Sequence, residues 1–234
     1  GGANGIGWAT IIRFLSGGAS VACLDNNAAA LEAIASKDGD KLLPIYVDVT
    51  DTVALNAAVE KAAETFGGLD GVVNAAGVDL QAGVETMDDA AWERLIAVNL
   101  TAPMKVCRAA VAHLRQAGGG TIVNLSSGAG LRPLENRSAY SASKAGLQMF
   151  SKALALELAH KANDSGTAVA TSMAILGQLL AFTGDIDAAV DLLRQAETLA
   201  APKSRLRNEK SRSVKCREIA KKLDFVPVRC AILQ

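Results

Sequence analysis

Tyr140 and Lys144 stand four residues apart in Tyr-Ser-Ala-Ser-Lys, within a stretch whose patterning is helical. That spacing puts both side chains on one helix face. A free phenol titrates at about 10, too high for a useful base at neutral pH. A neighbouring ammonium favours the phenolate and brings proton transfer into the working range. The same pair also reads as an ordinary contact on an exposed face. Near the start, Gly1-Gly-Ala-Asn-Gly-Ile-Gly7 runs straight into a helix-like stretch. Glycines at 1, 5 and 7 let the backbone turn tightly and approach a pyrophosphate, which then rests on the helix N-terminus. The spacing is not Gly-x-Gly-x-x-Gly and no Lys-Ser/Thr follows, so a nucleotide-hydrolysing phosphate loop is excluded. Asp25 ends the next apolar run. A carboxylate there accepts hydrogen bonds from an adenosine ribose and repels a 2′-phosphate. It reads also as an N-cap for a helix beginning at Ala28.

A scaffold must hold these groups, and the composition supplies one. Half of the 234 residues are hydrophobic and 21% are charged, which fits a buried core and excludes a disordered chain. With aromatics at 4%, that core is built from Ala, Val, Leu and Ile. Helical patterning covers 8–16, 28–36, 53–66, 88–116 and 138–161, with Pro103 marking a boundary or kink in the fourth. Short apolar strands alternate with them at 20–25, 42–47, 69–74 and 121–125. Strands apolar on both faces and separated by helices predict a parallel sheet covered on both sides. Ligands bind such sheets at the carboxyl ends of the strands. Asp25, Asp48, Asn74, Ser126 and Ser127 are the polar residues that end them here.

With these motifs in order, the chain resembles a short-chain dehydrogenase/reductase over residues 1 to about 160. The resemblance rests on Gly-x-x-x-Gly-Ile-Gly at 1–7, Val47-Asp-Val-Thr50, Asn74-Ala-Ala-Gly77, Val98-Asn-Leu100, Ser126-Ser127 and Tyr140-Ser-Ala-Ser-Lys144. The 13-residue step to Tyr140 selects Ser127 over Ser126. The resemblance implies a catalytic set of Asn99, Ser127, Tyr140 and Lys144. Tyr140 exchanges a proton with the substrate oxygen, Ser127 holds that oxygen, and Lys144 binds the nicotinamide ribose and favours the tyrosinate. Asn99 holds a water linking Lys144 to solvent. The implied cofactor is NAD, bound by Gly1, Asn4, Gly5, Ile6, Gly7, Asp25, Asp48, Val49, Asn74, Ala75, Ala76 and Gly77, together with Tyr140 and Lys144. Asp48 meets the adenine in that scheme. Two residues keep other readings: Asn99 as a helix-bending residue, Asp48 as a cap for the helix from Val53.

The implied fold is α/β: a Rossmann-like doubly wound parallel sheet, truncated, with a C-terminal helical extension. Residues 1–160 form an incomplete dinucleotide-binding oxidoreductase domain, 161–202 a helical hairpin and 203–234 a basic tail. The family's first strand and its Thr belong before Gly1, so the sheet is expected to lack its central strand, as in a fragment or a defective product. A poor enzyme is the consequence. After His160 the family's Pro-Gly turn and substrate loop are not found; two helices around Gly184-Asp185 look weakly like a tetratricopeptide unit or an unrelated hairpin. Residues 1–202 carry 14 basic and 21 acidic residues, whereas 203–234 carry 10 basic and 3 acidic. Residues 203–222 read as a solvated tail in preference to a nucleic-acid patch. Residues 225–233 could form a strand that Pro227 confines to an edge.

Function follows as NAD(H)-dependent interconversion of a secondary alcohol and a ketone, with a 3-oxoacyl substrate as one form. The alternative is a non-catalytic remnant fused to a helical interaction segment. Partners are a small carbonyl or alcohol and a second copy of the chain, paired through the long helices by Leu147, Phe150 and Leu154. The apolar stretch 168–182 is interrupted by Thr171, Ser172, Gly177 and Gln178 and falls short of a membrane span. Cys23, Cys107, Cys216 and Cys230 have no metal-ligand spacing, and His113 and His160 are the only histidines. That pattern points to a reducing, cytoplasmic setting without a metal site.

Overall fold

The computed structural model describes residues 1–35, 39–165, 168–174 and 229–233. Six strands form one wholly parallel sheet in the order β2-β1-β6-β3-β4-β5. They are β1 (Ser20–Asp25), β2 (Leu42–Tyr46), β3 (Gly71–Asn74), β4 (Gly119–Leu125), β5 (Ala168–Ala174) and β6 (Arg229–Leu233). Helices α1 (Gly5–Ser16), α2 (Ala28–Ile34), α3 (Thr52–Phe66), α4 (Asp89–Ile96), α5 (Ala102–Gln116) and α6 (Ser138–Ser165) connect or cover them.

Strand alternation divides the core. Ala22, Leu24, Val72 and Ile122 face one layer, packed with Leu55, Val59, Ala62, Val106, Ala110 and Leu114 of α3 and α5. Val21, Cys23, Val73 and Val123 face the other, with Ile11, Leu31 and Ile34 of α1 and α2. Both faces being covered is why the strands read as unbroken apolar runs. By length and composition Asp89–Gln116 could cross a membrane. Its residues Leu95, Val106, Cys107, Ala110 and Leu114 are instead buried in this core.

Local chemistry sets the helix ends. Asn27 accepts from Ala30 N at 3.0 Å to cap α2, and Asp51 accepts from Val53 N and Ala54 N to cap α3. The capping roles considered for Asp25 and Asp48 therefore fall to these neighbours. The long helix expected over 88–116 is broken by one π turn at Ala97–Thr101, and Pro103 sits in the first turn of α5. The helix backbone continues through that turn, with Ala102 N donating to Ala97 O, so Pro103 falls just where the regular i→i−4 ladder is already interrupted.

The centre of the sheet corrects three expectations. β6 lies between β1 and β3, pairing Cys23 with Ile232 on one side and Asn74 with Leu233 on the other. The neighbours expected to be unpaired are thus bridged, and the expected edge strand is central. Pro227 precedes Arg229 and so interrupts no ladder within β6. Of the segment 203–234 assigned to a basic tail, these five residues are strand. Beyond residue 160, α6 continues to Ser165 and β5 pairs along β4 from Gly119↔Ala168 to Leu125↔Ala174. The expected hairpin meets the structure only in α6 and β5; residues 175–202, and the basic segment 203–228, lie outside the described residues.

Candidate active site

Parallel strands all end at the same edge, and the site is assembled there. Asp25, at the end of β1, is fully buried. Its Oδ2 accepts from Gly1 N at 3.1 Å and Ala3 N at 3.0 Å, and its Oδ1 accepts from Asn27 N at 2.8 Å. The carboxylate thereby anchors the glycine turn. That turn tolerates no side chain at two points: a Cβ on Gly7 would lie 1.6 Å from the Gly1 oxygen, and one on Gly1 would lie 3.0 Å from the Ala75 oxygen. Gly5 has φ +52°, the left-handed region that glycine enters freely. Asn4 precedes α1 in extended conformation with no side-chain cap bond, and Asn4 and Gly5 are exposed. The first N–H groups of α1 are thus open to an anion, and the close backbone packing fits a pyrophosphate.

Ala75, Ala76 and Gly77 extend β3 along this edge, but Asn74 turns away from it. Its Nδ2 donates to Asn124 Oδ1 at 2.7 Å, and Asn124 Nδ2 donates to Ser151 Oγ at 2.8 Å. Asn74 thus belongs to a buried polar chain linking β3, β4 and α6, so its side chain does not line the cofactor edge. Asp48 Oδ1 accepts from Thr50 N at 2.9 Å and Thr50 Oγ1 at 2.7 Å. The Thr50 bonds, helped by Arg94, hold this carboxyl below its usual range. Val49 beside it is buried.

The proton-transfer group comes from α6, β4 and the π turn. Lys144 is 4% exposed, and its Nζ donates to Leu125 O at 3.0 Å and lies 5.8 Å from the Tyr140 ring centre. Burial lowers the lysine to about 8. Asn99 is fully buried within the π turn. Its Oδ1 accepts from Val78 N at 2.8 Å, and its Nδ2 donates to Val78 O at 2.9 Å and Ser143 Oγ at 3.2 Å. A Cβ built on Gly77 would lie 3.5 Å from Lys144 Nζ and 3.7 Å from Asn99 Oδ1, so the β3 extension passes directly over the pair.

The two serines differ in what they do. Ser126 is buried; its Oγ donates to Lys144 O at 3.1 Å and accepts from Gln148 Nε2 at 3.0 Å. Ser127 is half-buried, and its Oγ accepts from Ala129 N at 3.2 Å, which leaves its hydroxyl proton free to be donated. Gln148, Ser143, Asn124 and Ser151 were not singled out from sequence. Gln148 carries one readable signal: it lies four residues after Lys144, and therefore on the same helix face.

Doubly wound sheets bind dinucleotides at this edge, and here a tyrosine ring lies beside a buried lysine. By class the molecule is a dinucleotide-dependent oxidoreductase. The chain matches the short chain dehydrogenase family over residues 1–175 and belongs to it. It is 36% identical over 177 residues to the 2,5-dichloro-2,5-cyclohexadiene-1,4-diol dehydrogenase of Sphingobium indicum, covering 74% of this chain and 70% of that one. With the 3beta-hydroxysteroid dehydrogenase 2 of Eggerthella lenta it shares 42% identity over 149 residues, 62% of this chain and 57% of that one. Among solved structures, a metagenomic short-chain oxidoreductase in complex with NADP superposes with a TM-score of 0.65 at 33% identity, covering 74% of this chain and 77% of that one.

Proposed function

We propose that the chain interconverts a secondary alcohol and its ketone with NAD(H). The observation that carries this reading is the convergence of Lys144 and Asn99 beneath Gly77, with the Tyr140 ring beside Lys144, on the edge that also holds the glycine turn. When bound, the nicotinamide supplies the acceptor or donor of hydride. Its residues would be Gly1, Asn4, Gly5, Ile6 and Gly7 for the pyrophosphate, Asp25 for the adenosine ribose, Asp48 and Val49 for the adenine, and Ala75 to Gly77 alongside.

The chain's own groups do the rest. In oxidation the substrate carbon loses hydride while its hydroxyl proton passes to Tyr140 as the tyrosinate. Ser127 donates to the same oxygen. Lys144 spends one of its three N–H bonds on Leu125 O, which leaves two for ribose hydroxyls. Its charge keeps the phenolate accessible. A water held by Asn99 returns the proton from Lys144 to solvent. NAD is favoured over NADP because the Asp25 carboxylate, buried behind the glycine turn, acts through its charge against a 2′-phosphate at the end of β1, and Asn26 and Asn27 follow it instead of an arginine.

For substrate, the relatives named above support a ring-bearing secondary alcohol, with 3-oxoacyl thioesters as a second class to assay. Absorbance change with NAD and such a panel tests the reading. Turnover with at least one secondary alcohol is expected, and none with any member of the panel counts against it. Titrating NAD and NADP separately tests the role of Asp25; equal affinity removes it. The non-catalytic alternative rested on a missing first strand and a missing substrate loop; β6, lying between β1 and β3, speaks against the first of these.

A further inference from the structure

Ser127 and Tyr140 have to reach one substrate oxygen, yet they belong to different elements. Ser127 follows β4, Tyr140 lies in the first turn of α6, and the loop between them is exposed from Leu131 to Asn136. An exposed loop does not fix a distance between two hydroxyls. We infer that Gln148, acting with Ser126 and Gly130, is a positioning residue that sets the separation of Ser127 from Tyr140. This rests on the reading of the site as a dehydrogenase centre.

Gln148 is 4% exposed. It interrupts an apolar stripe of Leu147, Phe150, Leu154 and Leu158, where a buried amide is costly unless it is bonded. Both hydrogens of its Nε2 are used across the gap to β4. One goes to Ser126 Oγ at 3.0 Å and the other to the Ser127 carbonyl at 3.1 Å. Accepting from Gln148 aims the Ser126 proton at Lys144 O, which it reaches at 3.1 Å. The loop end of the strand is therefore stitched to α6 one turn and two turns beyond Tyr140.

Gly130 makes the close approach possible. A Cβ there would lie 2.7 Å from Gln148 Nε2 and 2.8 Å from both Ala145 N and the Lys144 carbonyl carbon. The short turn Gly128–Gly130 is thus pressed against the helix backbone. Its amides complete the arrangement: Ala129 N holds Ser127 Oγ at 3.2 Å, and Gly130 N shares the Ser127 carbonyl with Gln148 at 3.1 Å. Gln148 touches neither substrate nor cofactor; it acts through the peptide that carries Ser127.

Gln148→Met removes both bonds at nearly constant volume, and Ser126→Ala removes only the bridging hydroxyl. In both, kcat is expected to fall between about tenfold and a hundredfold, the scale of a roughly 1 Å misplacement. NAD affinity, read by fluorescence titration, should stay near wild type, because the glycine turn and the bond from Lys144 Nζ to Leu125 O involve neither residue. A kcat within about twofold of wild type in both folded variants overturns the inference, whatever their melting temperatures, and should Gln148→Met not fold, Ser126→Ala decides. Tyr140→Phe, run beside them, reports on the underlying reading alone. If the wild-type chain shows no turnover, that reading fails, and amide exchange still judges the clamp. Faster exchange at Ala129 and Gly130 in Gln148→Met supports it; unchanged exchange contradicts it.

Discussion

At the scale of single residues, Lys144 shows how position creates reactivity. Burial lowers it from 10.5 to about 8, so the folded chain gives up its proton more readily than the unfolded chain. Between those two values the unfolded state binds more protons, and stability rises with pH through that window. Replacing the lysine removes this dependence. Comparing wild type with Lys144→Met by denaturant unfolding, the difference should move in favour of wild type by on the order of 2–3 kcal/mol from about pH 7 to about pH 10. A pH-independent difference would mean that Lys144 is not desolvated. Asp25 gives a second test. Two backbone N–H groups, those of Ala3 and Asn27, point at it, so Asp25→Asn turns an amide donor toward donors; a loss of about 1–3 kcal/mol is expected, with a narrowed preference for NAD over NADP. Tyr140, Lys144 and Ser127 were legible from spacing because they lie on one helix face or at one strand end. Asn74 and Gln148 were not. Which way Asn74 points depends on Asn124, fifty residues away, and Gln148 acquires its partners only once β4 packs on α6.

Elements follow the same division between local and distant causes. The alternation of helix and strand was readable because β1 to β4 are apolar on both faces, and Asp51, Asn27 and Gly67 set helix ends through bonds to near neighbours. The place of β6 was not readable. Val21 pairs with Cys230, and no local pattern encodes a register across that separation. Pro227 invited an edge assignment that holds only if the strand includes it. Because β6 has neighbours on both sides, Ala231→Pro should cost about 3 kcal/mol or more, through a lost ladder bond and a clash in the interior of the sheet. Chemical denaturation measures that loss. NAD affinity should weaken with it, since Ser20–Asp25 and Gly71–Asn74, which position the glycine turn, are joined through β6. A variant as stable as wild type would remove β6 from the centre of the sheet.

For the molecule as a whole, the site depends on elements drawn from its full described length: the glycine turn at residues 1–7, the proton-transfer group at 99–148 and a sheet completed at 229–233. Trp92 of α4 with Met149 and Leu156 of α6 are apolar yet exposed. Leu147, expected on the pairing surface, is 1% exposed and belongs to the core; we propose that the exposed residues, with half-buried Phe150 and Leu154, pair two copies of the chain. Sedimentation at micromolar concentration is expected to show a dimer or larger, and Leu156→Glu to shift it toward monomer. The central claim is narrower: this edge of the sheet moves a proton through Tyr140. Its most direct test is the initial rate of NADH formation from a secondary alcohol by wild type and Tyr140→Phe, with NAD binding measured on the same samples. Loss of about a hundredfold or more in rate at unchanged NAD affinity is expected, since proton transfer by a positioned side chain contributes on that scale. A Tyr140→Phe chain that binds NAD and retains most of its turnover would contradict the account.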